Sequence, residues 1–163
     1  MPDLITHCSV AYLFRFLVPK LLLGNKNKLV LFVLGTILPD LLTRGLFIFF
    51  PFLVTFLLPM HTPFVLIFIC YFLCLFFEEG VRKGVFIALL SGSYLHLFLD
   101  FFQIHIGEEE YYWFFPFSWK SYEIGLFWPE ASVFSIPFWL VLILILERSF
   151  IWKTIKTYLF GNK

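Results

Sequence analysis

The chain has 163 residues, of which 61% are hydrophobic, 23% aromatic and only 14% charged, and its mean hydropathy is +0.91. Twelve Lys and Arg residues against eleven Asp and Glu residues leave a formal net charge of +1. This composition excludes an ordinary soluble domain, and the few, dispersed basic residues give no nucleic-acid-binding signature. The sequence therefore predicts a single integral membrane domain over residues 1–163.

Five apolar stretches predict membrane helices, so the expected fold is all-α and polytopic. They cover residues 5–23, 29–42, 63–77, 84–102 and 129–146. Thr62 is expected to cap the third helix, with Pro63 in its first turn. A further apolar segment, residues 45–59, is interrupted by Pro51 and ends at Pro59. We expect this segment to be a sixth span, a re-entrant hairpin or an interfacial segment.

The three cysteines do not predict a disulfide framework. Cys8 stands alone, whereas Cys70 and Cys74 lie one helical turn apart within an apolar run. We expect this pair to fill the core or to face lipid rather than to bind a metal.

The positive charges decide between the alternatives for residues 45–59, because short loops rich in Lys and Arg stay cytoplasmic. Nine of the twelve basic residues follow the first helix, follow the third or lie in the C-terminal tail: Lys20, Lys26, Lys28, Arg82, Lys83, Arg148, Lys153, Lys156 and Lys163. They share one side only if residues 45–59 do not cross the bilayer. We therefore expect a re-entrant or interfacial segment, an N-terminus outside and a C-terminus in the cytoplasm. The aromatic and acidic loop of residues 103–128 is then extracytoplasmic.

Ionisable side chains within the apolar stretches are the candidate functional residues, because such groups are costly to insert into a bilayer. His96 and Asp100 are four positions apart, which places both on one face of the fourth helix. In the predicted topology the whole set falls near the extracytoplasmic ends of the helices. Its members are His7, Asp40, His61, His96 and Asp100.

Three imidazoles and two carboxylates suit a divalent transition metal, with zinc the first candidate and manganese, iron and nickel open. Such a metal lowers the pKa of water to about 7 and supports hydrolysis of a phosphoryl or carbonyl centre. Asp40 or Asp100 is a candidate catalytic base, and Arg44, one turn beyond Asp40, is a candidate clamp for a phosphate. The expected substrate is a phosphoester or a polar lipid, because the aromatic loop predicts contact with lipid head groups.

Several short motifs follow one another as in the YdjM-like family, which is described as membrane-bound, metal-dependent hydrolases. They are Pro2-Asp3-Leu4-Ile5-Thr6-His7, Gly35-Thr36-Ile37-Leu38-Pro39-Asp40, His61-Thr62, the stretch from Gly92 to Asp100, and Pro116-Phe117-Ser118. The resemblance covers about the first three quarters of the chain. It implies that the matching histidines and aspartates, His7, Asp40, His61, His96 and Asp100, are metal ligands.

Two positions depart from the family pattern. Leu42 stands where a second Asp is common, and residues 57–62 lack the Arg that often precedes the His-Ser of the family. Some family members are described as LexA-binding, but nothing in this sequence supports the same partner.

Two other classes of function remain open. A metal-binding transporter or sensor uses ionisable residues near the middle of the bilayer, often beside broken helices, and the segment interrupted by Pro51 keeps this class open. A non-catalytic membrane protein needs the same residues only for hydrogen bonds between helices, for example a couple of His96 and Asp100. Membrane lipids are the partners that the sequence indicates, and protein partners stay unknown.

Overall fold

Five helices form the frame of the protein in a computed structural model that describes residues 4–17, 25–104 and 112–160. They are α1 (Leu4–Phe14), α2 (Lys26–Asp40), α3 (Pro63–Cys74), α4 (Glu79–Phe101) and α5 (Pro129–Phe160). The described residues contain no β-strand, and an isolated bridge joins Gln103 to Phe127. The prediction of an all-α fold is therefore confirmed.

Three helical stretches of the described residues are long and apolar enough to span a membrane: Lys26–Phe49, Glu79–Phe101 and Glu130–Arg148. The bent pair Pro51–His61 and Pro63–Cys74 makes a fourth if it counts as one broken span. These lengths and compositions are those of a membrane protein. The predicted five spans are not confirmed, because α1 is a shorter apolar helix of 11 residues. Residues 18–23 of the predicted first helix and residues 105–111 of the predicted loop lie outside the described residues.

The second span is longer than the sequence predicts. After Asp40 the chain continues through a π-helical turn, Leu41–Gly45, into the short helix Leu46–Phe49. The helix ends at Phe50, because a residue that precedes a proline is disfavoured in the helical region. Residues 51–61 then form short helical turns that are bent by 92° relative to α3. Residues 45–49 of the predicted segment therefore continue the helical stretch that begins at Lys26, and the re-entrant or interfacial course of this segment stays a prediction.

Helix α3 begins as the sequence predicts. The Thr62 hydroxyl accepts a hydrogen bond from the Val65 N–H at 3.5 Å, and Pro63 occupies the first turn. The same hydroxyl donates to the Pro59 carbonyl at 2.7 Å. Because one side chain binds the backbone on both sides of the bend, the chain direction is fixed directly after His61.

Helices α2 and α4 run parallel and make the most extensive helix contact among the described elements. A Cβ added at Gly92 would lie 3.0 Å from the Gly35 Cα and would overlap the Phe32 carbonyl oxygen. A Cβ added at Gly35 would overlap the Leu89 carbonyl oxygen. The two backbones are therefore in direct contact, as small residues allow between membrane helices.

A serine on α4 supports this contact by bonding to the backbone of α2. Pro39 has no N–H, so it cannot donate to the Gly35 carbonyl one turn earlier. The Ser93 hydroxyl lies 3.0 Å from that carbonyl oxygen and 3.0 Å from its own helix's Leu89 carbonyl oxygen. The proline and the serine therefore fix the relative position of the two helices just before Asp40.

Helix α5 lies parallel to α1 and contacts it at both ends. The Thr6 hydroxyl donates to the Ser132 carbonyl at 3.3 Å. Near the other end Arg15 and Glu147 form an ion pair, and the Arg15 guanidinium lies 4.1 Å from the centroid of the Tyr12 ring. The ion pair and the aromatic contact offset the cost of placing the two charges beside apolar surface.

The two cysteines of α3 are part of the core. Cys70 and Cys74 are buried in an apolar cluster with Val85 and Leu89 of α4. This placement confirms the prediction that they fill space between helices.

Replacement of Gly92 by Ala is expected to lower stability by about 1–3 kcal/mol, because the added methyl group overlaps the backbone of α2. Gly80→Ala is the matched control in the same helix, since its Cβ would meet nothing within 4 Å. Thermal unfolding in detergent measures both variants. Equal melting temperatures for the two variants would contradict the direct backbone contact.

Candidate metal centre

Helix α4 supplies two of the predicted ligands from one face. His96 and Asp100 lie near the end of the helix, and both are completely buried, with 0% exposure. The His96 Nε2 atom is 3.2 Å from the Asp100 Oδ2 atom. Their separation of four positions produces this contact, because such residues are neighbours on a helix surface.

Helix α1 supplies His7 in its first turn. The His7 Nε2 atom is 3.2 Å from the Asp100 Oδ1 atom, and both side chains are completely buried. The His7 ring stacks on the His96 ring with 4.1 Å between the centroids. The two carboxylate oxygens of Asp100 therefore each face a histidine nitrogen.

His61 enters from the bend between residues 51–61 and α3. Its Nε2 atom is 3.0 Å from the Asp100 Oδ2 atom, and its ring is edge-on to the His96 ring at 5.0 Å. The Thr62 cap, which fixes the start of α3, follows it directly. The 92° bend between residues 51–61 and α3 is thus what brings His61 to the cluster.

Asp40, the last residue of α2, closes the cluster on the remaining side. Its Oδ1 atom is 3.6 Å from the His96 Nε2 atom. The Asp40 side chain keeps 15% exposure, whereas the Asp100 side chain has none. Asp40 is therefore the acid of the cluster that reaches the surface of the protein.

The donor atoms of these five side chains are spaced as metal ligands are. Two overlapping groups, His7/His96/Asp100 and Asp40/His61/His96, each have donor atoms within 4.8 Å of one another. The individual contacts are 3.0 to 3.6 Å. Ligands bonded at about 2.0–2.2 Å in a tetrahedral site are about 3.3–3.6 Å apart. His96 belongs to both groups and is the shared member.

Several of these atoms make no hydrogen bond of good geometry within the described part of the chain, although each faces another member of the cluster at 3.2 or 3.6 Å. The Nε2 atoms of His7 and His96 and the Oδ1 atom of Asp40 are buried there without a hydrogen-bond partner. A buried polar atom without a partner costs about 1–3 kcal/mol. A cation held by the His7/His96/Asp100 group or by the Asp40/His61/His96 group would give a partner to the members of that group, so the residues present fit a metal ion that prefers nitrogen and oxygen donors.

The second ring nitrogen, Nδ1, of two of the histidines lacks the hydrogen-bond partner that a histidine metal ligand usually has. Histidine ligands usually donate the second ring N–H to a carboxylate or a carbonyl. The Nδ1 atoms of His7 and His96 are buried and have no such partner among the described residues. Stacking between the two rings holds their orientation instead.

Arg44 does not share the burial of the other predicted site residues. It lies in the π-helical turn that follows Asp40, and its side chain is exposed. Its position one turn beyond Asp40 agrees with the sequence analysis. Its role as a phosphate clamp stays a prediction.

One buried polar residue near the centre was missed from the sequence. Gln103 follows Asp100 by three positions, is 1% exposed, and its side-chain amide has no hydrogen-bond partner among the residues described. The Ile124 N–H donates to the Phe101 carbonyl at 2.9 Å, so the loop after residue 112 folds back onto the end of α4 and covers it. The sequence contained one signal for this residue. Gln103 lies three positions after Asp100, and this spacing continues the helix face that bears the ligands.

Comparisons with sequence models of protein families, with curated proteins and with solved structures gave no match for this chain. The class of the protein is therefore described from its fold and its site alone. It is an all-helical protein with helices able to span a membrane and a buried His/Asp cluster that could hold a metal ion. The resemblance to the YdjM-like family stays a prediction from short motifs.

Replacement of His96 by Asn is expected to weaken metal binding more than His7→Asn or His61→Asn, because only His96 belongs to both ligand groups. The loss should exceed the factor of about 10–100 that removal of an outer-shell partner costs. Competition with a chromophoric zinc chelator measures the affinities, with elution as a single species as the check on folding. Ser91→Ala, an exposed position of the same helix, is the control. Wild-type affinity in His96→Asn would refute the assignment.

Proposed function

We propose that this chain is a membrane-embedded, metal-dependent hydrolase. The proposal rests on one observation: four segments far apart in sequence bring three imidazole Nε2 atoms and two carboxylates together in two overlapping groups of possible metal ligands that share His96. Intramembrane ionisable residues are rare and usually functional, and a set of this composition is a ligand set for a divalent metal. Zinc is the leading candidate, because its sites commonly combine histidine nitrogens with carboxylate oxygens.

The residues divide into two roles in this proposal. His7, His61, His96 and Asp100 would hold the ion, because all four are buried and Asp100 contacts each of the three histidines. The ion would supply Lewis-acid polarisation of a phosphoryl or carbonyl oxygen and a lower pKa for water. Asp40 is the proposed catalytic base, since it is the acid that reaches the surface of the protein and stands 3.6 Å from His96. A base must lie within reach of the proton that it removes, which favours Asp40 over the enclosed Asp100.

A phosphoester or polar-lipid substrate is proposed on the basis of the surroundings of the centre. Trp119, Tyr122 and Trp128 are exposed on the loop that follows α4, and such rings are typical of the interface between membrane and water. Arg44 is exposed and one turn from Asp40, where its guanidinium would contact a phosphate bound beside that carboxylate. Membrane lipids are thus the proposed partners of this face.

Hydrolysis of a panel of phospholipids and phosphodiesters by protein in nanodiscs tests the proposal. We expect activity that chelators remove and zinc restores, and that Asp40→Asn lowers by about 100-fold or more, the contribution typical of a general base. Arg44→Ala should weaken turnover of phosphate substrates without changing metal content. Arg148→Ala, an exposed arginine in α5, is the matched control. Activity that is indifferent to chelators and to Asp40→Asn would refute the hydrolase.

The proposed orientation has the N-terminus outside and the C-terminus in the cytoplasm, which makes the centre extracytoplasmic. It is supported by the parallel course of α2 and α4, with Lys28 and Lys83 at one end and Asp40 and Asp100 at the other. We expect a fluorescent protein fused after Lys163 to fluoresce and an alkaline phosphatase fused there to be inactive. The opposite pair of results would reverse the orientation.

A metal transporter or sensor is the second candidate, and one observation favours it. His61 lies at a break of 92° between two helical segments, and discontinuous helices at ligand sites are typical of transporters. Zinc uptake into proteoliposomes without hydrolysis of any substrate would select this alternative.

A further inference from the structure

An apolar cavity of about 360 Å³ lies beside the candidate centre, between α1, the end of α4 and the first turns of α5. Its walls include Val10, Leu99, Phe102 and Trp139. None of its described lining residues carries a charge. The cavity is therefore suited to hydrocarbon and unsuited to a charged or strongly polar ligand.

The few polar side chains in the wall are turned toward one another. The Ser135 hydroxyl donates to the Ser132 carbonyl at 2.6 Å and accepts from the Trp139 indole N–H at 2.8 Å. The Thr6 hydroxyl donates to the same Ser132 carbonyl at 3.3 Å. Because these groups satisfy one another, the surface that they leave to the cavity is apolar.

The cavity adjoins the candidate centre on two helices. Thr6 in its wall directly precedes His7, and Leu99 in its wall directly precedes Asp100. Consecutive Cα atoms are about 3.8 Å apart, so the two sites are neighbours rather than separate features of the surface. His7 and Asp100 do not line the cavity themselves, so a molecule whose apolar part fills it lies beside the turns of α1 and α4 that carry these two residues.

Size decides what kind of apolar molecule fits. One turn of an α-helix is about 5.4 Å long and 10–12 Å wide, so it occupies about 400–600 Å³. The cavity of about 360 Å³ is too small for one such turn, but it lies within the range for small ligands, about 300–1,000 Å³. The volume therefore favours a narrow hydrocarbon chain over a whole turn of a partner helix.

We propose that this cavity binds the acyl chain of a membrane lipid and directs its polar head group toward the His/Asp cluster. The proposal rests on the proposed hydrolase function for the role of the head group. It goes beyond that function by assigning the substrate a long hydrocarbon chain and by giving the chain a defined binding site.

A photoreactive lipid tests the assignment directly. The probe is a phospholipid with a diazirine at the end of one acyl chain, incorporated into phosphatidylethanolamine and phosphatidylglycerol nanodiscs that hold the full chain. After irradiation, mass spectrometry of peptides locates the cross-links. We expect them to concentrate on the cavity walls at Val10, Leu99 and Trp139, and to be displaced by excess unlabelled lipid.

Ala131→Trp fills the cavity from α5 and is expected to lower this labelling by about tenfold, which corresponds to about 1.4 kcal/mol of lost burial. Val10→Phe fills it from α1 and provides a second variant if the first does not fold. Val141→Trp is the control, because it adds the same bulk to an exposed face of α5. Labelling spread evenly over the exposed helix faces, or unchanged in both filling variants, would overturn the proposal.

Metal content measured on the same samples separates this proposal from the proposed function. Cavity labelling in protein that binds no metal would refute the hydrolase while supporting the acyl-chain site. Stoichiometric metal with labelling unaffected by Ala131→Trp would refute the acyl-chain site while leaving the metal centre in place.

Discussion

The direct contact between the backbones of α2 and α4 at Gly35 and Gly92 is the constraint on which the candidate centre depends. Asp40 lies five residues beyond Gly35, and His96 lies four residues beyond Gly92, so the two side chains rise to similar heights on parallel helices. A wider separation would take the Asp40 carboxylate away from the His96 ring. Metal coordination tolerates errors of only about 0.2 Å, so helix spacing sets whether a ligand set exists at all. The Ser93 bond to α2 maintains that spacing where Pro39 leaves a carbonyl without its helical donor.

The cluster costs free energy, because it buries polar and charged side chains. A bound metal ion would explain why the protein keeps it. Three histidines and a fully buried aspartate occupy a region that would otherwise hold apolar side chains, and several of their atoms lack hydrogen bonds within the described residues. Helix association alone would need only a pair of hydrogen-bonding groups. A cation bound by either ligand group would use three of these nitrogens and oxygens at once. In the proposed function the partly exposed Asp40 acts as the base, and the apolar cavity lined by Leu99 holds a hydrocarbon chain.

Much of this arrangement could be predicted from periodicity and charge, and the remainder depends on how the helices meet. The spacing of His96 and Asp100 fixes their shared face in any helix, and the Thr62-Pro63 pair marks a helix start from local chemistry alone. The continuation of α2 to Phe49 was missed, because Pro51 was taken to interrupt a separate segment rather than to end a longer helix. The stacking of His7 on His96 and the burial of Gln103 follow from helix rotation and loop folding, which no local pattern specifies.

X-ray absorption at the zinc edge, on zinc-loaded protein in nanodiscs, tests the central claim most directly. It counts and identifies the ligands without any knowledge of the substrate. We predict a shell of nitrogen and oxygen scatterers at about 2.0–2.2 Å, with the outer-shell pattern of imidazole rings from several histidines. Protein that takes up no stoichiometric zinc, or a sulfur shell at about 2.3 Å pointing to the cysteines, would contradict the His/Asp centre.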